Sequence, residues 1–139
     1  MRDVSLWRSL LGVEKTVVER VEFDEDSQLL VLHVRPVKRE RGRCGICGRR
    51  SPGYDGGPGR RRWRALDLGT VRAQLEADAP RVTCRTHGVV VASVPWARHD
   101  AGHTYAFDDQ VAWLATQASK STVCELMRIA WRTVGSIVA

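Results

Sequence analysis

The chain has 139 residues, 27% of them charged, with 22 Lys and Arg against 16 Asp and Glu for a formal net charge of +6. That length suits one domain or two small ones with a modest core. No apolar run approaches the roughly 18 to 20 residues needed to cross a bilayer, so a spanning helix is excluded and the chain is expected to be soluble and cytoplasmic.

In chain order, Ser5 to Leu11 places Leu6, Leu10 and either Trp7 or Leu11 at helical spacing, with Gly12 as its stop. This predicts a short docking helix. Thr16 to Phe23 and Leu29 to Arg35 are rich in Val and Leu and are separated by Asp24-Glu25-Asp26-Ser27, the pattern of a β-hairpin. Leu30, Leu32 and Val34 share one face of the second strand, which leaves His33 on the other as an ordinary strand residue rather than a ligand.

Residues 35–64 hold eleven basic side chains against Glu40 and Asp55, while residues 1–34 are net acidic and the remainder is balanced. Such a stretch attracts phosphate backbones and releases their condensed counterions. A solvated loop that keeps the protein soluble is the plain alternative. Ser51 to Gly59 breaks regular structure, and with Arg60, Arg61 and Arg62 directly after it the segment reads as a mobile basic loop whose three arginines are expected to bind DNA independently of its sequence.

Within this basic region lie Cys44 and Cys47, and after 36 intervening residues come Cys84 and His87, each pair with a two-residue gap. The gap lets both members of a pair turn inward from one knuckle, and zinc takes thiolate and imidazole ligands in fours. With all four positions filled by protein, the metal is structural rather than catalytic. A thioredoxin-like redox pair fits less well, because it expects a βαβ context and no second ligand pair. A disulfide framework also fits less well, since Met1 to Gly12, with Arg2, Asp3 and Arg8, does not resemble a secretory signal.

Trp63 to Leu68 and Val71 to Ala79 are further strands around a Gly69-Thr70 turn; Val82 to Cys84 enters the second knuckle and Val89 to Val94 leaves it. Zinc would pin two ends of one small antiparallel sheet. Pro95 and Arg98 to His103 read as a linker, with Gly102 arguing against a helical His99–His103 metal site.

After the linker the period changes. Phe107, Val111, Leu114 and Ala115 mark a helix that Thr104 or Asp108 caps. A second helix begins near Ser119 to Ser121 and ends near Arg128, and a third begins near Trp131 with Val134, Ile137 and Val138 inward. Val123, Met127, Ile129, Val134 and Ile137 fall where the two helices of a helix-turn-helix pack, with small Cys124 at their closest approach. Arg128 stands at the turn where Gly is usual, and Ala130 cannot cap as Ser would. In a major groove, Arg132, Thr133 and Ser136 would face base edges while Lys120 and Ser121 touch phosphates. A plain three-helix bundle is the alternative. The fold class expected is α+β: a zinc-ribbon-like antiparallel β domain over residues 1–98, then a helix-turn-helix segment over 99–139 that looks truncated.

Residues 62–69, 80–91 and 94–97, with the segment ending Ala130-Trp131-Arg132-Thr133-Val134, resemble the N-terminal region of ISL-three family insertion-sequence transposases. The resemblance implies a zinc module and a helix-turn-helix that recognise terminal inverted repeats, ahead of a catalytic domain with three metal-binding acidic residues. Asp108 and Asp109 are adjacent on a helix and Asp24 to Asp26 lie in a turn, so no converging carboxylate set for two-metal chemistry is expected and no catalytic activity. The expected partners are double-stranded DNA and self or the full-length transposase, with no membrane and no small-molecule substrate. A zinc-ribbon module that binds a protein without reading DNA sequence is the alternative function.

Overall fold

The computed structural model describes residues 4–139. Helix α1 (Val4–Leu11) stops at Gly12, whose φ of 64° lies in the left-handed region that glycine enters without a Cβ clash. It docks through Trp7 and Leu11, whereas Leu6 and Leu10, expected on the docking face, are exposed. Successive helical residues are rotated by about 100°, so the Leu6–Leu10 stripe turns aside when its neighbour seats.

The expected hairpin is present as β1 (Thr16–Asp24) and β2 (Leu29–Pro36), antiparallel with a register shift between Val18 and Arg20. Then come β3 (Gly53–Asp55), β4 (Arg60–Leu68), β5 (Val71–Asp78), β6 (Arg81–Cys84) and β7 (Gly88–Val91). They build two sheets rather than the single one expected. One has the order β1-β2-β5-β4, with β2 parallel to β5; the other is β3-β6-β7 and is antiparallel throughout.

The large sheet buries Leu30, Leu32 and Val34 against Trp63, Ala65, Ala73 and Leu75. Trp96 completes this core edge-on to Trp63, with ring centroids 5.3 Å apart. The segment after β7 is therefore not a free linker: Trp96 and Ala97 are 1% and 3% exposed. An edge-to-face aromatic pair contributes about 0.5–1.5 kcal/mol beyond its buried area.

A second core lies among α2 (Tyr105–Gln117), α3 (Lys120–Met127) and α4 (Trp131–Val138). Phe107 and Val111 meet Val123, Met127, Val134 and Ile137, and Leu66 of β4 joins them from the sheet. Thr104 caps α2 by accepting from the Phe107 N–H, and Ser119 caps α3 by accepting from Thr122. Asp108 is not a cap. It sits buried inside α2 and takes Arg98 at 3.0 Å. Ala130 makes no side-chain cap, as expected, and Val138, expected inward, is exposed near the end of α4. Among the described residues no helix is long and apolar enough to cross a membrane, which leaves strand-built spans unaddressed.

Candidate metal centre and nucleic-acid interface

The first knuckle grows from a short two-legged turn. Cys44 donates its N–H to the Arg49 carbonyl at 2.8 Å and accepts at its own carbonyl from Gly48 at 2.8 Å. Gly45 between the cysteines presses on the end of β7, where a Cβ would collide with the Val91 carbonyl and the His99 ring. The second knuckle joins β6 to β7: Cys84 closes the one and His87 precedes the other. The Cys84 thiol is pulled down to about 6 by the backbone N–H groups of His87 and Thr86, which favour its thiolate form.

The four side chains converge. Sγ of Cys44 and Sγ of Cys84 each lie 3.6 Å from Nδ1 of His87, Cys47 and Cys84 are 3.7 Å apart through sulfur, and all four ligand atoms lie within 4.8 Å of one another. A tetrahedron with zinc–sulfur bonds of about 2.3 Å and a zinc–nitrogen bond of about 2.0 Å has edges of about 3.8 Å between sulfurs and about 3.5 Å from sulfur to nitrogen. The three short separations match those edges, and three sulfurs with one imidazole are a donor set that suits zinc. Cys44 and Cys84 are buried and Cys47 is exposed at the rim.

The other histidines have separate roles. His33 directs Nε2 to Glu22 at 2.6 Å and accepts at Nδ1 from Arg60 at 2.8 Å. His103 stacks on Phe107, and burial lowers its pKa; His99 lies 3.3 Å from Asp100. Neither belongs to the metal cluster, and the segment between them is not helical.

Arg60, Arg61 and Arg62, expected in a mobile loop, instead open β4. The cause lies across the ladder, where Arg60 faces Asp78 and Arg62 faces Glu76. Arg60 reaches Glu76 at 3.1 Å and Asp78 at 3.2 Å, and Arg62 reaches Glu76 at 2.9 Å. Hydrogen bonding from Arg62, then Arg60, holds the Glu76 carboxyl below the usual glutamate range despite partial burial. Arg61 donates to the Ala101 carbonyl at 2.6 Å and lies over the Trp63 ring. Part of the preceding segment is also ordered: β3 pairs with β6, and Arg81 is ion-paired with Asp55.

In the helical part, Arg128 closes α3 in a left-handed conformation, φ 56° and ψ 52°. Its guanidinium donates to Asp67 Oδ2 at 2.6 Å and to the Thr70 carbonyl at 3.4 Å. Arg64 of β4 completes the clamp, donating to Asp67 Oδ1 at 3.1 Å and to the carbonyls of Met127 and Arg128 at 3.0 and 3.2 Å. Thus the last carbonyls of α3, which a helix end leaves without partners, are satisfied by a side chain from the sheet. Arg64 and Asp67 were not singled out from the sequence, because no local spacing ties them to a turn about sixty positions away.

Along α4, Arg132 and Ser136 are exposed and Thr133 is half-buried. Ser121 is exposed at the start of α3, while the Lys120 ammonium folds over the Trp131 ring at 4.5 Å.

Comparison with known proteins gives two family matches. The zinc-finger of transposase IS204/IS1001/IS1096/IS1165 matches residues 40–87, and the helix-turn-helix domain of transposase family ISL3 matches residues 92–139. Two curated relatives, each named as transposase for insertion sequence element IS1557, come from Mycobacterium tuberculosis strains CDC 1551 / Oshkosh and ATCC 25618 / H37Rv. Each is 61% identical over 144 residues, covering 100% of this chain and 32% of the relative. The chain thus spans less than two thirds of the relatives it matches. No solved structure matches it.

Proposed function

Because this chain carries the zinc-ribbon and helix-turn-helix domains of the ISL3 transposase family, we propose that it binds double-stranded DNA and recognises the terminal inverted repeats of an insertion sequence. Residues 1–98 serve as a zinc-stabilised platform and 99–139 as the reading unit. The observation that carries this reading is the α3–α4 pair. Val123, Met127, Val134 and Ile137 bury its inner face, leaving Arg132 and Ser136 exposed and Thr133 half-buried at the flank of α4 to meet base edges. Ser121 and Lys120 lie at the start of α3, where phosphate contacts orient such a unit.

Cys44, Cys47, Cys84 and His87 hold one zinc ion in this reading. Its contribution is structural, a cross-link between the first knuckle and the β6–β7 turn. We assign no catalysis to the residues present. Asp108 is committed to Arg98, and Asp24 bonds the backbone of its own turn. The protein acts in the cytoplasm, on DNA, beside another copy or the longer transposase.

A mobility-shift titration with terminal-repeat duplex against scrambled duplex tests the reading, with at least about tenfold preference expected for the repeat. Equal affinity for both would refute it. A protein-interaction module is the second reading, favoured by exposed Trp113, Leu126 and Trp131 on the helices. Retained partner capture with no DNA binding at low salt would select it.

A further inference from the structure

Folding leaves a cluster of unpaired positive charge around the first knuckle, with Arg72, Arg85 and Arg132 also exposed and without an ion pair elsewhere among the described residues. Arg60 and Arg62 are held by Glu76 and Asp78 in the large sheet, and Arg64 and Arg128 share Asp67 at the seam with the helices. Around the first zinc knuckle the balance is different. Lys38, Arg39, Arg41, Arg49 and Arg50 are all exposed, and none has an ion-pair partner among the described residues. Glu40, the sole acidic residue between Arg35 and Tyr54, is already taken by Lys15 at 3.2 Å and Arg43 at 3.4 Å.

These cations are neighbours in space as well as in sequence. Arg43 bridges to Arg50, Ser51 donates its N–H to the Gly42 carbonyl at 2.8 Å, and Arg50 donates to the Arg39 carbonyl at 3.3 Å. The leg carrying Arg39 and Arg41 is therefore laid against the leg carrying Arg49 and Arg50. Paired backbone segments lie about 4.8 Å apart, so like charges are crowded on one short hairpin with no internal compensation. Four guanidinium forks on a hairpin braced by a metal-ligand cluster suit the oxygens of successive phosphates.

We propose that this zinc-knuckle hairpin is the surface that grips the phosphate backbone of double-stranded DNA, through Arg39, Arg41, Arg49 and Arg50, and that Arg60 and Arg62 instead hold the sheet together. The assignment rests on the DNA-binding reading above and locates its electrostatic half. Base reading by α4 and phosphate gripping by the knuckle are then separable functions.

The test is a salt titration of the zinc-loaded 139-residue chain on a random-sequence duplex, between about 50 and 200 mM salt, where each phosphate contact contributes a slope of about 0.9 in log affinity against log salt. Three variants accompany the parent: R39Q/R41Q/R49Q/R50Q, the same four positions changed to Lys, and R60Q/R62Q. Zinc content confirms that each is folded at the knuckle. The Gln variant is expected to lose about 3 to 4 from the slope, whereas the Lys variant stays within about 1 of the parent and R60Q/R62Q within about 0.5. A zinc-loaded Gln variant with the parental slope, or an equal loss in R60Q/R62Q, overturns the assignment. Retained preference for terminal-repeat duplex in that case leaves the DNA-binding reading standing. A parent chain with no salt-dependent affinity for any duplex overturns both.

Discussion

Arg128 offers a test of how the helices are fixed to the sheet. Its left-handed backbone, φ 56° and ψ 52°, costs a non-glycine residue about 1 kcal/mol relative to glycine. Against this stand its hydrogen bonds to Asp67 and the Thr70 carbonyl. The Arg128 and Asp67 side chains are 35% and 21% exposed. Solvent screening therefore limits their pair to about 1 kcal/mol. The two effects are of similar size and opposite sign, so Arg128→Gly alone should change the unfolding free energy by less than about 0.5 kcal/mol. In an Asp67→Ala background the backbone relief is opposed only by the long 3.4 Å bond to the Thr70 carbonyl, and the same substitution should stabilise by up to about 1 kcal/mol. Asp67→Ala by itself should cost about 1–3 kcal/mol, because it also strips Arg64 of its carboxylate while the buried Arg64 Nε already has no partner. Urea unfolding of the four zinc-loaded proteins measures the cycle, with equal m values required for the comparison. Stabilisation by about 1 kcal/mol in both backgrounds would show zero coupling, and the clamp would then contribute nothing.

Two further outcomes follow from the same geometry. Chelating the metal should release the β3-β6-β7 sheet first, because Val82 and Cys84 are its only fully buried side chains and it belongs to neither apolar cluster. Structural zinc supplies about 10–16 kcal/mol in comparable peptides. Amide exchange should therefore rise in β6 and β7 while β2 and β5 keep their protection, and uniform loss would contradict this. Glu76 supplies a pH test: its folded pKa is depressed by Arg62 and Arg60, so its stabilisation is complete above the ordinary glutamate range and is lost as pH falls through the lower folded value. Glu76→Gln should weaken the protein at neutral pH and flatten the acid limb below about pH 4.5, as read from denaturant midpoints against pH. An acid limb as steep as the parent's would remove Glu76 as its cause.

Local chemistry accounts for what could be read from the residues alone. Cys44, Cys47, Cys84 and His87 announce themselves because a two-residue gap is a geometric requirement of a knuckle, and their ligand atoms do meet. The hairpin of β1 and β2, the Gly69 turn and the α3–α4 packing residues follow from periodicity and turn preference over a few positions. Strand partnership does not. A Leu- and Val-rich run marks β2 and alternation marks β5 as strands, but neither names the other as its parallel partner, and parallel strands require a long crossover. Here that crossover holds the first knuckle and β3 before β4 returns, so Cys44 and Cys47 are inserted between two central strands while Cys84 and His87 follow β5. Trp96 illustrates the same limit: amid Pro and Gly it reads as linker, yet it fills the space beside Trp63.

Charge is where sequence and structure diverge most. A run such as Arg60-Arg61-Arg62 looks like the strongest phosphate-binding signal in the chain, because three adjacent cations are visible and their partners about fifteen positions away are not. Once β4 lies on β5, register pairs two of the three: Arg62 faces Glu76 and Arg60 faces Asp78, each ion-paired on the sheet surface, while Arg61 donates to the Ala101 carbonyl. Arg39, Arg41, Arg49 and Arg50 look weaker because they are scattered, but their short hairpin brings them together with no carboxylate to spare. The cations available to a polyanion are those left unpaired after folding, and the density of basic residues along the chain is a poor guide to them. It follows that neutralising the dense run should perturb stability before affinity, and neutralising the scattered set affinity before stability.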